Sequence, residues 1–384
     1  MHYFQQRYLE QNRAFVGTTG LDIIELPNKG LLSGIKLQIY ATAGTTKGDR
    51  DVSVIDCLKK VEVIVNGSQV VKSLTGREIK AMMYYQKMAM AQDCMWNKKD
   101  GVSRVELFIN FGRHHHDLEY MLDLGQVNDP ELRIEYDFTI TSHDGWTNGE
   151  AHTLPHRDVI CHILRDPNVV PKGYIKTSEL SRFLWVSGRI ENMTVPRGPT
   201  YSNLYVESYY KSSGLTFTLD NIEVNINSDD IVPLHLDMQE FIDDIEAMWG
   251  RFLAHEIKDV DFVNLIPSIM EAGAHNVNAH GAGVALIFDN AALWGQNLGI
   301  GVYDDAGAPD PGANYIQIDY SGILPYSVAA IPLFDPWDPD TWIDTSVLGD
   351  FWVRYACTAV GNALCPIKLL GDEVVTRYTT PSWP

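Results

Sequence analysis

The chain has 384 residues, 45% hydrophobic and 21% charged, the balance of a folded protein with room for two domains of ordinary size. Its formal net charge of −20 repels phosphate backbones, so direct nucleic-acid binding is not expected. No apolar run is long enough to span a bilayer, and the opening MHYFQQRYLEQNRAFVG lacks the apolar core of a signal peptide. The 5 cysteines (Cys57, Cys94, Cys161, Cys357, Cys365) are scattered and never form C-x-x-C, as expected of free thiols in a chain made in the cytoplasm.

Residues 1–16 read as an N-terminal arm. Tyr3, Phe4, Tyr8 and Phe15 mingle there with Arg7 and Arg13, a mix suited to a lipid interface or, equally, to a helix packed on its own protein. Residues 17–142 carry short runs of β-branched and aromatic residues broken by turn residues, among them RVELFINF and ELRIEYDFTIT. Within this span Leu26-Pro27-Asn28-Lys29-Gly30 joins two apolar strands, and Val61 to Asn66 predicts a third. Thr75-Gly76-Arg77-Glu78 predicts a helix start, in which Thr75 and Glu78 each satisfy an N–H that the first turn leaves free. Residues 143–180 hold Pro, His and Gly with little periodicity and read as a linker.

The same order then returns over residues 181–362. Val195-Pro196-Arg197-Gly198 answers the first Pro/Gly turn, and Ile222, Val224 and Ile226 alternate with polar residues as a half-buried strand should. Asp237-Met238-Gln239-Glu240 repeats the helix start. Val61 to Asn66 matches Ile222 to Asn227 at an offset of 161 (66 to 227), and the helix starts match at 162 (75 to 237). Apolar positions continue at helical spacing, Ile79, Met82, Met83 and Gln86 against Phe241, Ile245, Met248 and Trp249. Downstream, Asp129 to Tyr136 resembles Asp350 to Tyr355 at an offset of 219 (136 to 355), so the second copy holds 57 extra residues after its helix (219 against 162). The Gly/Pro/Asp-rich stretch at about 295–325 lies inside that excess and reads as a long exposed loop. Residues 363–384 remain as a C-terminal tail. The fold expected is all-β with a few short helices, two tandem eight-stranded jelly rolls produced by duplication.

A chain of this length, with two such copies and a helix at the same place in each, resembles the double jelly-roll major capsid proteins of tailless icosahedral viruses in the adenovirus-like lineage. Many of these viruses carry an internal membrane. The likeness rests on GLDIIELPNKGLLSGIKLQI and YMLDLGQVNDPELRIEYDFT in the first copy, and on RIENMTVPRGPTYSNLYV and WIDTSVLGDFWVRYACT in the second; it covers most of residues 17–360. It implies a structural protein of the virion, synthesised in the host cytoplasm, that forms homotrimers of pseudo-hexagonal outline and tiles an icosahedral shell. Its implied partners are itself, neighbouring capsomers, minor capsid or penton proteins, and a lipid membrane met by the N-terminal arm. Gly299 to Gly322 would stand on the outer surface.

Chemistry is sparse. His114-x-His116 in GRHHHDLEYMLDLG would place two imidazoles on one face of a strand, as in a cupin metal site. Glu119 comes too early for that pattern, and His275 and His280 fall in the wrong copy, so three adjacent histidines read as a polar loop. Asp335, Asp338, Asp340 and Asp344 could hold calcium but are spaced to cap local turns. Trp294, Trp337 and Trp342 suit a sugar platform or, more commonly, packing. No phosphate loop, G-x-S-x-G, H-E-x-x-H or Cys/His nucleophile pattern is present. No enzyme activity is expected, and no catalytic, cofactor-binding or metal residue and no cofactor is assigned. The competing readings are a carbohydrate- or receptor-binding β-sandwich (a viral spike or lectin-like protein) and, more distantly, a cupin-like metalloenzyme.

Overall fold

A computed structural model describes residues 3–42, 54–88, 96–97, 102–138, 153–166, 168–209, 214–258, 266–268, 274–280, 285–288, 298–303, 316–333, 335–359 and 361–376. The first lobe contains β1 (Phe4–Ala14), β2 (Thr19–Glu25), β3 (Leu31–Thr42), β4 (Leu58–Val65), β5 (Gln69–Leu74), helix α1 (Gly76–Tyr85), β6 (Val102–Asn110), β7 (Glu131–Asp137) and β8 (Thr153–Leu164). The second contains β9 (Tyr174–Leu184), β10 (Ile190–Thr194), β11 (Thr200–Ser208), a turn of helix α2 (Leu215–Thr218), β12 (Leu219–Ile226), β13 (Ile231–Asp237), helix α3 (Met238–Trp249), β14 (Val328–Ala330), β15 (Phe351–Cys357) and β16 (Pro366–Val375).

The two lobes share one strand order. The first lobe pairs β1-β8-β3-β6 in one sheet and β2-β7-β4-β5 in the other. The second pairs β9-β16-β11-β14 and β10-β15-β12-β13, the same orders with every number raised by eight. Each lobe is thus an eight-stranded jelly roll, and the chain is a double jelly roll. The turns agree as well: Gly30 and Gly198, between the second and third strands of each lobe, take φ of +109° and +105°, which side chains with a Cβ seldom adopt.

Period-two patterning makes the cores. Ile35, Leu37 and Ile39 on β3 stand beside Val105, Leu107 and Ile109 on β6 in one sheet, and Leu132, Ile134 and Tyr136 on β7 join the same core from the other sheet. Phe351, Val353, Tyr355 and Cys357 on β15 do the same in the second. Each fully buried aliphatic side chain contributes roughly 1.5–3 kcal/mol. Cys57, Cys161, Cys357 and Cys365 are free and buried, and burial pushes the Cys161 thiol up to about 12 and Cys365 up to about 11. Cys94 lies outside the described residues.

Several boundaries differ from the sequence expectation. Residues 1–16 are not a separate arm or a helix: Phe4–Ala14 is an edge strand of the first lobe, antiparallel to β8. The supposed linker 143–180 contains β8, which lies between β1 and β3, and the first half of β9. The tail 363–384 supplies β16, an inner strand of the second lobe. These strands escaped hydrophobic patterning because polar side chains are satisfied across them. Arg157 of β8 is buried, donates to Glu10 of β1 at 2.6 Å, and pairs with Asp22 of β2.

The insertion of the second copy begins earlier than 295. It includes strands Phe252–Lys258, Ala274–His280 and Ile316–Gly322 in one small sheet, and Ile266–Ser268, Ala285–Phe288 and Leu298–Tyr303 in another. The β7 match also shifts by two residues. Val61 pairs with Ile134 and its counterpart Ile222 with Tyr355, so Ile134 rather than Tyr136 answers Tyr355. A slip of two keeps every side chain on the same face, so the sequence pattern could not detect it. Glu223 and Asn225 on β12 are buried, not solvent-facing, with Arg354 donating to Glu223 at 2.9 Å.

Candidate assembly surfaces

The two lobes join along one built seam. The last strand before α1, β5, runs parallel to β9 at Lys72 and Thr177, which fuses a sheet of each lobe into one. Lys72 Nζ donates to Thr177 Oγ1 at 2.6 Å, Thr177 donates to Asp372, and Tyr205 donates to Asp372 Oδ2 at 2.8 Å. Burial pulls the Lys72 ammonium down to about 8, a shift that the Asp372 charge limits. Above it, α1 begins at a capping box: Thr75 accepts from the Glu78 N–H and Glu78 accepts from the Thr75 N–H. All ten residues of α1 are buried, because the helix lies between the lobes. Tyr85 donates to the Val328 carbonyl at 2.7 Å, and Tyr84 to that of Gly250, both across the seam.

A charged triad closes the same seam. Lys368 of β16 lies 2.7 Å from Glu78 of α1 and 2.7 Å from Glu207 of β11. Burial and the neighbouring Glu78 charge push the Glu207 carboxyl up to about 8. Burial also opposes ionisation of Glu78, but the Lys368 charge and hydrogen bonds from Glu207, Lys368 and the Thr75 N–H outweigh it and hold Glu78 below its ordinary range. Lys368 is raised in turn, since its two carboxyl partners outweigh its burial. The pair of carboxyls beside Lys368 therefore favours holding one proton between them, with Glu207 the more easily protonated.

The corresponding surfaces are more exposed among the described residues, although the C-terminal end of α3 reaches the seam through Trp249, which packs on Tyr85. Helix α3 starts with the same box, Asp237 with Glu240, yet buries only Met238, Phe241, Ile242 and Ile245. Strand β13, the counterpart of β5, ends its sheet and exposes Ile231 and Val232. Strand β1, the counterpart of β9, ends its own sheet with Tyr3, beside it, and Tyr8 exposed. Among the described residues, one surface of each type is used inside the chain, and one of each is exposed.

The candidate residues of the sequence fall as follows. His114 is exposed, and residues 111–118 form an irregular crossing, so His114 and His116 do not share a strand face. His116 instead turns inward beside His115 and towards His162 of β8, a residue that sequence spacing did not single out. Burial and repulsion among the rings push His115 and His162 down to about 4 and His116 below its ordinary value. Glu119 is paired with Arg113 at 2.7 Å and Lys172 at 2.8 Å. His275 and His280 belong to the strand Ala274–His280 of the insertion. Asp335, Asp338 and Asp344 each accept from a backbone N–H two residues on, the local capping their spacing suggested. Trp337 packs at the seam, with Lys87 Nζ 3.4 Å from its ring centre, and Trp342 packs on Tyr120. Trp294 lies outside the described residues. Phe4 stacks on His116, and Phe15 is buried against Tyr136 and Phe138.

This architecture, two jelly rolls of equal strand order set side by side, is that of viral major capsid proteins. Among solved structures, the chain is similar to the STIV MCP, with a TM-score of 0.57, 12% identity and 98% of each chain covered. It is similar at the same TM-score and identity to a chain of an atomic structure of Sulfolobus Turreted Icosahedral Virus, covering 98% of this chain and 91% of that one. A chain of the PBCV-1 virus capsid matches with a TM-score of 0.51 and 9% identity over 97% of this chain and 93% of that one. No family model matches the sequence, and no curated protein matches it.

Proposed function

We propose that this chain is a major capsid protein that closes into homotrimers of pseudo-hexagonal outline and tiles an icosahedral shell. One observation carries the reading: β5 and α1 already dock on β9 and the second lobe within the chain, while β13 with α3 and β1 are left as an unused pair of the same kind. A contact between two different surfaces propagates from copy to copy, and it closes when the rotation divides a full turn. Three chains of two lobes each make six near-equivalent positions, so the β13/α3 side of one copy docks on the β1 edge of the next. The capsid folds it resembles support the same reading.

The insertion between α3 and β14, including Gly299 to Gly322, then forms outer surface, and the protein resides in the virion. Neighbouring capsomers, with minor capsid or penton proteins at the vertices, are the partners. Exposed Tyr3, ahead of β1 and outside its docking edge, is the part suited to meet an internal membrane, where three copies would multiply weak interfacial contacts. No catalytic step is proposed. Light scattering of the purified chain tests the reading: a species of three times the 43.2 kDa chain mass is expected, and a strict monomer at high concentration would overturn it.

A further inference from the structure

On β8, Val159, Cys161 and Ile163 belong to the core of the first sandwich, while Ile160, His162 and Leu164 face the opposite side. His162 is only 4% exposed, and neither of its ring nitrogens has a hydrogen-bond partner. The segment after β6 crosses over this face, anchored by Arg113 donating from Nε and Nη2 to the two carboxylate oxygens of Asp117 at 2.7 and 2.9 Å. At His116 the backbone turns left-handed, with φ of +61°, and the rings of His115 and His116 come to lie on the same side, 3.6 Å apart. A left-handed conformation is costly for a residue with a Cβ and needs a compensating contact. His115 Nδ1 and His116 Nε2 are also buried without partners. Phe108 packs edge-on to His115 and His162, and Phe4 stacks on His116, so aromatic rings brace the group while His115 and His116 stay half-buried.

We propose that His115, His116 and His162 form a binding site for a borderline divalent cation of the zinc class. One nitrogen from each ring lies within 4.8 Å of the others. Nitrogens on one zinc, bound at about 2.0–2.1 Å, stand roughly 3.4 Å apart, so modest ring rotations complete the site and leave the fourth position for water. The donor set is all imidazole nitrogen. Glu106, the carboxylate nearby, is occupied by Lys36 at 2.8 Å and by the Gln38 amide at 2.6 Å, and that ion pair offsets the local lysine charge. Calcium and magnesium, which need oxygen ligands, are disfavoured; zinc, cobalt, nickel and copper are not. The bound ion ties the crossing segment to β8 and, through the Phe4 stack, steadies the N-terminal edge strand.

The test uses the full, untagged chain stripped with a chelator and titrated with zinc against a chromogenic competitor. One equivalent bound per chain, a rise in melting temperature and a tetrahedral cobalt spectrum on cobalt substitution are expected. His162→Gln and His115→Ala should each lose the tight site, while His114→Ala, an exposed neighbour, should keep it. The metal-free unfolding transition of each variant reports whether it folds. If His162→Gln does not fold, the loop variants His115→Ala and His116→Ala decide. Absence of tight stoichiometric binding by the parent chain, or binding undiminished in folded His115→Ala and His116→Ala, would overturn the assignment.

Discussion

Asn66 and Asn227, one in each lobe, hold the same left-handed corner, with φ of +53° and +55°, and brace the same neighbouring loop. The Asn66 side chain accepts from the Asn128 N–H at 2.8 Å, and that of Asn227 from the Gly349 N–H at 2.6 Å. Their own N–H groups donate to the carbonyls of Asn128 and Asp350. Asparagine is favoured here because it tolerates the left-handed region and carries an acceptor.

Substitution separates the two contributions. Asn66→Gly should keep the corner and lose only the side-chain hydrogen bonds to Asn128 and Gln69, whereas Asn66→Ala loses the corner as well, for a difference of about 1 kcal/mol in chemical denaturation. The same pair at Asn227 should behave alike. Equal losses for Gly and Ala would mean that the backbone conformation is not what the asparagine supplies.

The Glu78–Lys368–Glu207 triad makes stability depend on pH in an uncommon direction. Glu207 is raised from the ordinary carboxyl range to about 8, so between those limits the folded chain binds a proton that the unfolded chain has released. Stability from this group is fully present at low pH and is lost as pH rises towards about 8. The melting temperature of Glu207→Gln, compared with the parent across this range, should lack that decline. Lys368→Met leaves the ionised Glu78 buried without its cation and should cost about 3–5 kcal/mol.

Tyr85 reports on the seam itself. Its hydroxyl is buried and donates across the lobes to the Val328 carbonyl. Tyr85→Phe keeps the ring packed against Tyr205 and Trp249 but leaves that acceptor short of a donor, a loss of about 1–3 kcal/mol in equilibrium unfolding. No change in stability would show that the hydrogen bond is dispensable to lobe docking.

The open edge can be blocked without touching a core. Ile231 and Val232 begin β13 and are exposed in the single chain. Ile231→Glu with Val232→Glu places two charges where the next copy should dock, and like charge or unpaired desolvation there disfavours association. Sedimentation should show a monomer with an unchanged circular dichroism spectrum. A double variant that still forms trimers would move the contact elsewhere.

The histidine cluster shows where sequence spacing stops being informative. His114-x-His116 has strand-like spacing, yet the crossing segment is not a strand, and the ring that completes the group is 46 positions further on, at His162 (116 to 162). A faint signal existed in VICHIL, where a histidine stands in an otherwise apolar run. Lys72, Lys368 and Asp372 gave no signal, since a charged residue in a strand ordinarily faces water.

What the sequence determined by itself was the repeat: matched period-two strands, two reciprocal helix caps, and left-handed glycine and asparagine turns are local events written in a few adjacent residues. The tertiary structure decided which of the twin helices became a buried wedge. Near-identical caps start α1 and α3, but α1 is enclosed where β5 meets β9 of the second lobe, while α3 buries only Met238, Phe241, Ile242 and Ile245. Enclosure depends on what stands opposite a surface, and long-range pairing across more than a hundred residues leaves no periodic trace in the segment being covered.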